Sequence, residues 1–186
     1  PAMFDTKQFT MPDGRRIAYR HIRGTGPALV FLPGYMSDMA GSKASALFDW
    51  AEANSHTCLL LDYSGCGESD GDFADGTLSR WRDEVLALIE AKLSGPVVLV
   101  GSSMGGWVAL SLTLARPDTI KGLVLINPAQ DFTERLMWPG LADHEREAIL
   151  REGETLIVEA GLGEYVLTLF IFREASPYNL LDGVIV

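Results

Sequence analysis

One stretch constrains this chain more than any other: Val97-Val98-Leu99-Val100-Gly101-Ser102-Ser103-Met104-Gly105-Gly106-Trp107-Val108-Ala109-Leu110. Its first four residues are apolar, three of them β-branched, and they predict a short buried strand. A Gly-x-Ser-x-Gly turn follows, with Gly101, Ser103 and Gly105, and then an apolar run of helical character. Strand, sharp turn and helix in direct succession define a nucleophile elbow. The central residue of such a turn sits in a strained conformation, so the flanking positions must be nearly free of side chains. Ser103 then stands at the edge of a sheet, where the new helix's N–H groups favour negative charge. A plain Gly/Ser-rich loop is the alternative; the strand and helix on either side favour the elbow.

The rest of the chain supplies a matching context. Residues 7–21 read as a hairpin about Pro12-Asp13-Gly14. Residues 28–32 and 57–61 are apolar runs without alternation, as expected of parallel strands covered on both faces. Ala44, Leu47, Phe48 and Ala51 recur at helical spacing within 38–54. Leu78, Trp81, Val85, Leu88 and Ile89 make one stripe within 77–93. A further strand is predicted at 122–126. Strands alternating with helices predict an α/β fold: a parallel sheet with right-handed crossovers. After residue 128 the alternation stops. A helix is predicted at 143–151, residues 154–181 read as irregular, and 183–186 open a further strand.

Composition narrows the function classes. At 186 residues and 47% hydrophobic, the chain suits one domain with an ordinary core. A formal net charge of −10 and the lack of a basic stripe argue against a nucleic-acid partner. No apolar run reaches membrane-spanning length. Cys58 and Cys66 have neither metal spacing nor a disulfide framework, and suit a reducing compartment. The N-terminus lacks the features of a signal peptide, and Pro1-Ala2 ahead of Met3 reads as a remnant. The expected location is the cytoplasm, or the mitochondrial matrix for a processed chain.

Serine needs a base within hydrogen-bond reach and donors for the oxyanion. One donor is the N–H of the residue after the nucleophile, Met104; the other comes from the loop after an earlier strand, where Tyr35 follows Pro33-Gly34. At this point three segments converge. Leu32-Pro33-Gly34-Tyr35, Asp62-Tyr63-Ser64-Gly65-Cys66-Gly67-Glu68-Ser69 and Gly101-Ser102-Ser103-Met104-Gly105-Gly106-Trp107, in this order, resemble the α/β-hydrolase superfamily. They are especially similar to its acyl-protein thioesterase and acyl-glucuronide esterase group of mitochondria and bacteria. The resemblance covers residues 15–130 well and implies Ser103 as nucleophile, with Tyr35 and Met104 as oxyanion donors. It also implies a lid after the strand ending at Ile126. Residues 129–181 are therefore expected to be a lid within a single domain, 1–186, that is incomplete at its C-terminal end. Phe132, Leu136, Met137, Trp138 and Leu141 are candidates to line an acyl or aryl pocket, with ordinary packing as the alternative.

The departure from the pattern is as informative. The acid and the histidine follow the serine in chain order in this fold, and both are expected beyond residue 186. Of the three histidines, His21 and His56 read as surface residues away from the site, and His144 as part of a solvated charged face. Asp131 is a candidate acid that still lacks a histidine. Asp62 reads as a stabiliser of the glycine turn, and Asp70 and Asp72 as loop carboxylates. Cys66 has no nearby base for a nucleophile role. The expected function is a serine hydrolase that cleaves small acyl esters or thioesters, with no metal or organic cofactor. A non-catalytic fragment or binding module is one alternative, and a lactonase or peroxidase on the same elbow another. No sequence feature fixes the oligomeric state.

Overall fold

The computed structural model describes residues 5–183. The predicted hairpin is β1 (Lys7–Thr10) and β2 (Arg16–Ile22), closed by the Met11 N–H donating to the Arg15 carbonyl at 2.8 Å. β2 pairs antiparallel with β4 (His56–Leu61). β4, β3 (Thr25–Leu32), β5 (Val97–Ser102) and β6 (Ile120–Ile126) run parallel to one another. The sheet order is β1-β2-β4-β3-β5-β6. β3 therefore lies beside β5, with Leu32 opposite Gly101. Two loops leave the carboxyl edge at adjacent points: the one after Leu32 and the one after Ser102.

Strand periodicity divides the interior into two cores. Successive side chains point to opposite faces. Phe31, Cys58, Leu60 and Val100 pack with Ala44, Phe48 and Ala51 of α1 (Ser42–Ala53). Their neighbours Val30, Leu32, Leu59, Leu61 and Leu99 pack on the other face with α2 (Leu78–Lys92) and α3 (Met104–Ala115). Trp81 of α2 and Trp107 of α3 anchor that second core. Each fully buried Leu or Trp contributes about 1.5–3 kcal/mol or more relative to exposure. α1 begins four residues later than its apolar spacing predicts. Residues 38–41 form a turn instead, in which the Ala40 N–H donates to the Asp38 carboxylate at 2.9 Å.

Beyond β6 the chain departs from the sequence reading. A π-helical turn (Thr133–Met137) runs into the short α4 (Trp138–Gly140). The predicted helix is present as α5 (Asp143–Glu152), ending on Gly153 in the left-handed conformation. Residues read as irregular form an antiparallel hairpin, β7 (Glu154–Glu159) and β8 (Gly163–Thr168), followed by α6 (Leu169–Ala175). The hairpin was obscured because Leu156 and Val158 face outward, at 57% and 72% exposure, while Ile157 faces in. The strand predicted at 183–186 lies outside the described residues except for Gly183, which is in a bend.

The ends of β3 and β5 meet α3 at one tight point. A Cβ on Gly105 would lie 2.0 Å from the Leu32 carbonyl oxygen, a main-chain atom that cannot swing aside. Alanine's helix preference over glycine, about 1 kcal/mol, is too small to offset that overlap. Gly105→Ala is expected to cost about 3 kcal/mol or more. Gly140→Ala, with nothing within 4 Å of the added Cβ, should change stability by less than about 0.5 kcal/mol. Urea unfolding of the two variants checks the contrast, and equal costs would refute it.

Candidate active site

Ser103 occupies the turn between β5 and α3 with φ 55° and ψ −120°. That region is strained for a residue with a side chain, at about 1–3 kcal/mol, and persists only where the surroundings enforce it. Three main-chain hydrogen bonds do so here. The Ser103 N–H donates to the Ile126 carbonyl at 3.0 Å. Its carbonyl accepts from the N–H groups of Gly106 at 2.9 Å and Ala129 at 3.0 Å. The glycines on either side are required sterically as well: a Cβ on Gly101 would lie 2.5 Å from the Gly105 carbonyl oxygen.

The loop after β3 lies against this serine. A Cβ placed on Gly34 would be 3.3 Å from the Ser103 Cβ and 3.8 Å from its Oγ. The main chain that carries Tyr35 is thus at contact distance from the nucleophile position. Met104 is the first residue of α3 and is buried. Its N–H has no acceptor within the helix, since the first turn of a helix leaves its donors unpaired. The structure therefore brings Ser103, Met104 and the Gly34-Tyr35 turn together.

The Tyr35 side chain extends to a separate space. Its ring is 5.3 Å from Phe132, 5.6 Å from Tyr165 and 5.0 Å from Phe73, centroid to centroid. Tyr35, Phe132, Met137, Leu141, Ile157 and Tyr165 are among the residues lining a cavity of about 490 Å³. Leu136 lines it too, together with the carboxylate residues Glu145 and Glu159. The Tyr165 hydroxyl donates to Glu159 at 3.0 Å. Burial, then the nearby Glu159 and Glu145, pushes the Tyr165 pKa up. Trp138 is placed elsewhere: it lines a second cavity of about 450 Å³ with Leu150, Leu169 and Phe172, its ring 5.2 Å from that of Phe172. Sequence reasoning missed Ile157 and Tyr165. The signal was a β-branched run, Thr155 to Val158, before a turn with two glycines.

The three histidines are distributed away from the elbow. His21 is in β2, opposite Leu59; β4 and β3 separate that strand from β5, so the strands lie about 14 Å apart. Burial, then Arg23, Lys7 and Lys92, lowers the His21 pKa. His56 is at the amino end of β4, with Nε2 2.7 Å from the Pro27 carbonyl. His144 is exposed on α5. Asp131 is buried, and its two carboxylate oxygens accept from the N–H groups of Leu180 at 2.7 Å and Leu181 at 2.9 Å. Asp62 accepts from the N–H groups of Met39 and Glu68. Among the described residues, no group of three or more His, Cys, Asp or Glu could hold a metal ion. No helix among them is long and apolar enough to cross a membrane.

A parallel sheet, a strained serine between strand and helix, and a glycine loop against that serine define the α/β hydrolases. Residues 29–180 match the alpha/beta hydrolase family, and the chain belongs to it. The human palmitoyl-protein thioesterase ABHD10, mitochondrial, is 42% identical over 120 residues, which are 64% of this chain and 39% of that protein. Its bovine counterpart is 34% identical over 189 residues, 93% of this chain and 61% of the relative. The chain thus spans between about two fifths and three fifths of these relatives. Among solved structures, alpha/beta hydrolase domain-containing protein 10 from mouse superposes with a TM-score of 0.83 at 30% identity. The match covers 96% of this chain and 72% of that one. A crystal structure from Agrobacterium vitis S4 superposes with a TM-score of 0.88 at 36% identity, covering 97% and 74%.

Neither cysteine has the environment of a nucleophile. Both are free and buried, and burial pushes each thiol up to about 12. For Cys66 the carboxylates of Asp62, Glu84 and Asp38 add to that effect. At pH 8 the thiolate is then about one part in ten thousand. A thiol-specific disulfide reagent is expected to modify the native protein orders of magnitude more slowly than the urea-unfolded protein. Rapid modification of native Cys66 would refute this.

Proposed function

We propose that Ser103 is the nucleophile of a hydrolase that cleaves carboxylic ester or thioester bonds through an acyl-enzyme. The observation that carries the reading is the strained Ser103 with the Gly34-Tyr35 main chain at contact distance. Ser103 Oγ attacks the acyl carbonyl, and the N–H groups of Tyr35 and Met104 stabilise the tetrahedral oxyanion. A general base takes the serine proton and returns it to the leaving alcohol or thiol. Water then releases the acid. The reading takes the base and its orienting acid from chain beyond residue 186, in keeping with the longer relatives.

In this reading residues 129–181 form a lid, and the acyl group enters the cavity lined by Tyr35, Phe132, Met137 and Ile157. Its volume of about 490 Å³ lies within the range of small-molecule pockets, about 300–1,000 Å³. The names of the human and bovine relatives favour a long-chain acyl thioester carried on a protein, and a mitochondrial rather than cytoplasmic location. The positions of His21, His56 and His144 favour a second reading for residues 1–186 taken alone: a binding module that keeps the pocket without turnover.

A fluorophosphonate probe separates the two readings. In the longest natural chain containing this sequence, Ser103 is expected to be labelled and Ser103→Ala to abolish both labelling and ester hydrolysis, by at least about 10³-fold. Equal labelling of both proteins would overturn the assignment. Ile157→Phe, which narrows the cavity, should shift the preferred acyl group to a shorter chain while acetyl hydrolysis persists. An unchanged chain-length profile would remove the cavity from the acyl role.

A further inference from the structure

The loop that carries Tyr35 leaves β3 at Pro33 and joins α1 at Ser42. Its internal ties are few. The Ser37 N–H donates to the Gly34 carbonyl at 3.2 Å, and the Gly41 N–H to the Asp38 carbonyl at 3.3 Å. Met36 within it has φ 56°, a strained value for a residue with a side chain. What holds the loop from outside is the pair of residues that follows β4. Tyr63 is fully buried, and its hydroxyl donates to the Pro33 carbonyl at 2.8 Å. Asp62, 1% exposed, accepts the Met39 N–H at 2.7 Å with Oδ1 and the Glu68 N–H at 2.9 Å with Oδ2. Consecutive side chains therefore grip both arms of one loop.

The grip is itself anchored. The Tyr63 ring packs at 5.7 Å on Trp81, whose indole N–H donates to the Ser64 carbonyl at 3.1 Å. The Ser64 N–H donates to the buried Glu84 at 2.7 Å. The Pro33 carbonyl also faces α3, where a Cβ on Gly105 would lie 2.7 Å from it. Its position is thus coupled to the elbow on one side and to Tyr63 on the other. A phenylalanine would fill the same space as Tyr63 and keep the ring contact. A single buried neutral hydrogen bond adds little net stability, whereas an oxyanion donor must sit within a few tenths of an ångström of its target.

We propose that Tyr63 is a positioning residue for the oxyanion loop: its hydroxyl on Pro33, with Asp62 on Met39, sets where the Tyr35 N–H meets the oxyanion on Ser103. This rests on the reading of Ser103 as nucleophile. The role falls to the phenol, not to the ring, and is exerted through the main chain. Burial holds the Tyr63 pKa well above its ordinary value, so the hydroxyl stays a protonated donor at every working pH.

The test is Tyr63→Phe in the longest natural chain that contains this sequence, read in two ways. Amide hydrogen exchange across Gly34–Met39 is expected to accelerate about tenfold or more while the amides of residues 103–106 are unchanged. With a short nitrophenyl ester, kcat is expected to fall about 10- to 100-fold with KM within about twofold. Unchanged exchange, unchanged kcat, or a loss confined to KM overturns the proposal. Should Tyr63→Phe fail to fold, Asp62→Asn decides. It leaves one acceptor oxygen for two donors, so exchange across the loop must rise ahead of global unfolding; unchanged exchange again overturns the grip. If the unmodified protein neither turns over esters nor takes the probe at Ser103, the hydrolase reading fails by itself. The exchange comparison still decides whether Tyr63 holds the loop.

Discussion

The close approach of Gly105 to the Leu32 carbonyl is the contact on which the rest of the site depends. It lets α3 start directly over the ends of β3 and β5. With any side chain at that point, the helix would have to withdraw from the sheet, and the loop after Leu32 would lose its seat beside Ser103. The strained backbone at Ser103 is affordable because that packing is already in place. Three main-chain hydrogen bonds from Ile126, Gly106 and Ala129 then hold the turn. Stability, in the form of two sheet faces buried under α1 and under α2 with α3, is converted locally into a conformation that serine does not adopt on its own.

The central fold was legible because each of its signals is local and physically redundant. Val97 to Val100 reads as strand from β-branching, as buried from its lack of alternation, and as an elbow from the glycines that follow. The stripe through Trp81, Val85 and Leu88 marks α2 in the same way. The start of α1 was less legible. Its apolar spacing extends backward over Asp38 and Met39, and only a distant partner, the Asp62 carboxylate on the Met39 N–H, shows that this stretch is a turn. The hairpin at 154–168 failed for the opposite reason. Leu156 and Val158 face outward, so hydrophobicity there does not report on burial, and alternation gives no cue.

The candidate site divides along similar lines. Ser103, Met104 and Tyr35 were found from motif and strand order, since they lie at the ends of elements that the pattern locates. Phe132 and Met137 share the Tyr35 cavity, but Trp138, one residue on, turns to Phe172 and a different space. The direction of a side chain within a π-helical turn cannot be deduced from spacing that assumes 3.6 residues per turn. Tyr63 was quoted within a glycine-rich motif and given no role of its own. Its hydroxyl partner is 30 residues away in sequence, across a strand crossover.

The seat of Ser103 is built from carbonyl and amide groups that any residue possesses. Its demands on side chains are mostly negative: Gly101 and Gly105 must stay small. Almost everything above the sheet edge can therefore be exchanged without disturbing the seat, including the hairpin that supplies Ile157 and Tyr165 to the cavity. Such an arrangement behaves as a socket. Lineages that keep a handful of glycines can trade the covering segment for another and acquire a new clientele, while inheriting the same attacking atom in the same place.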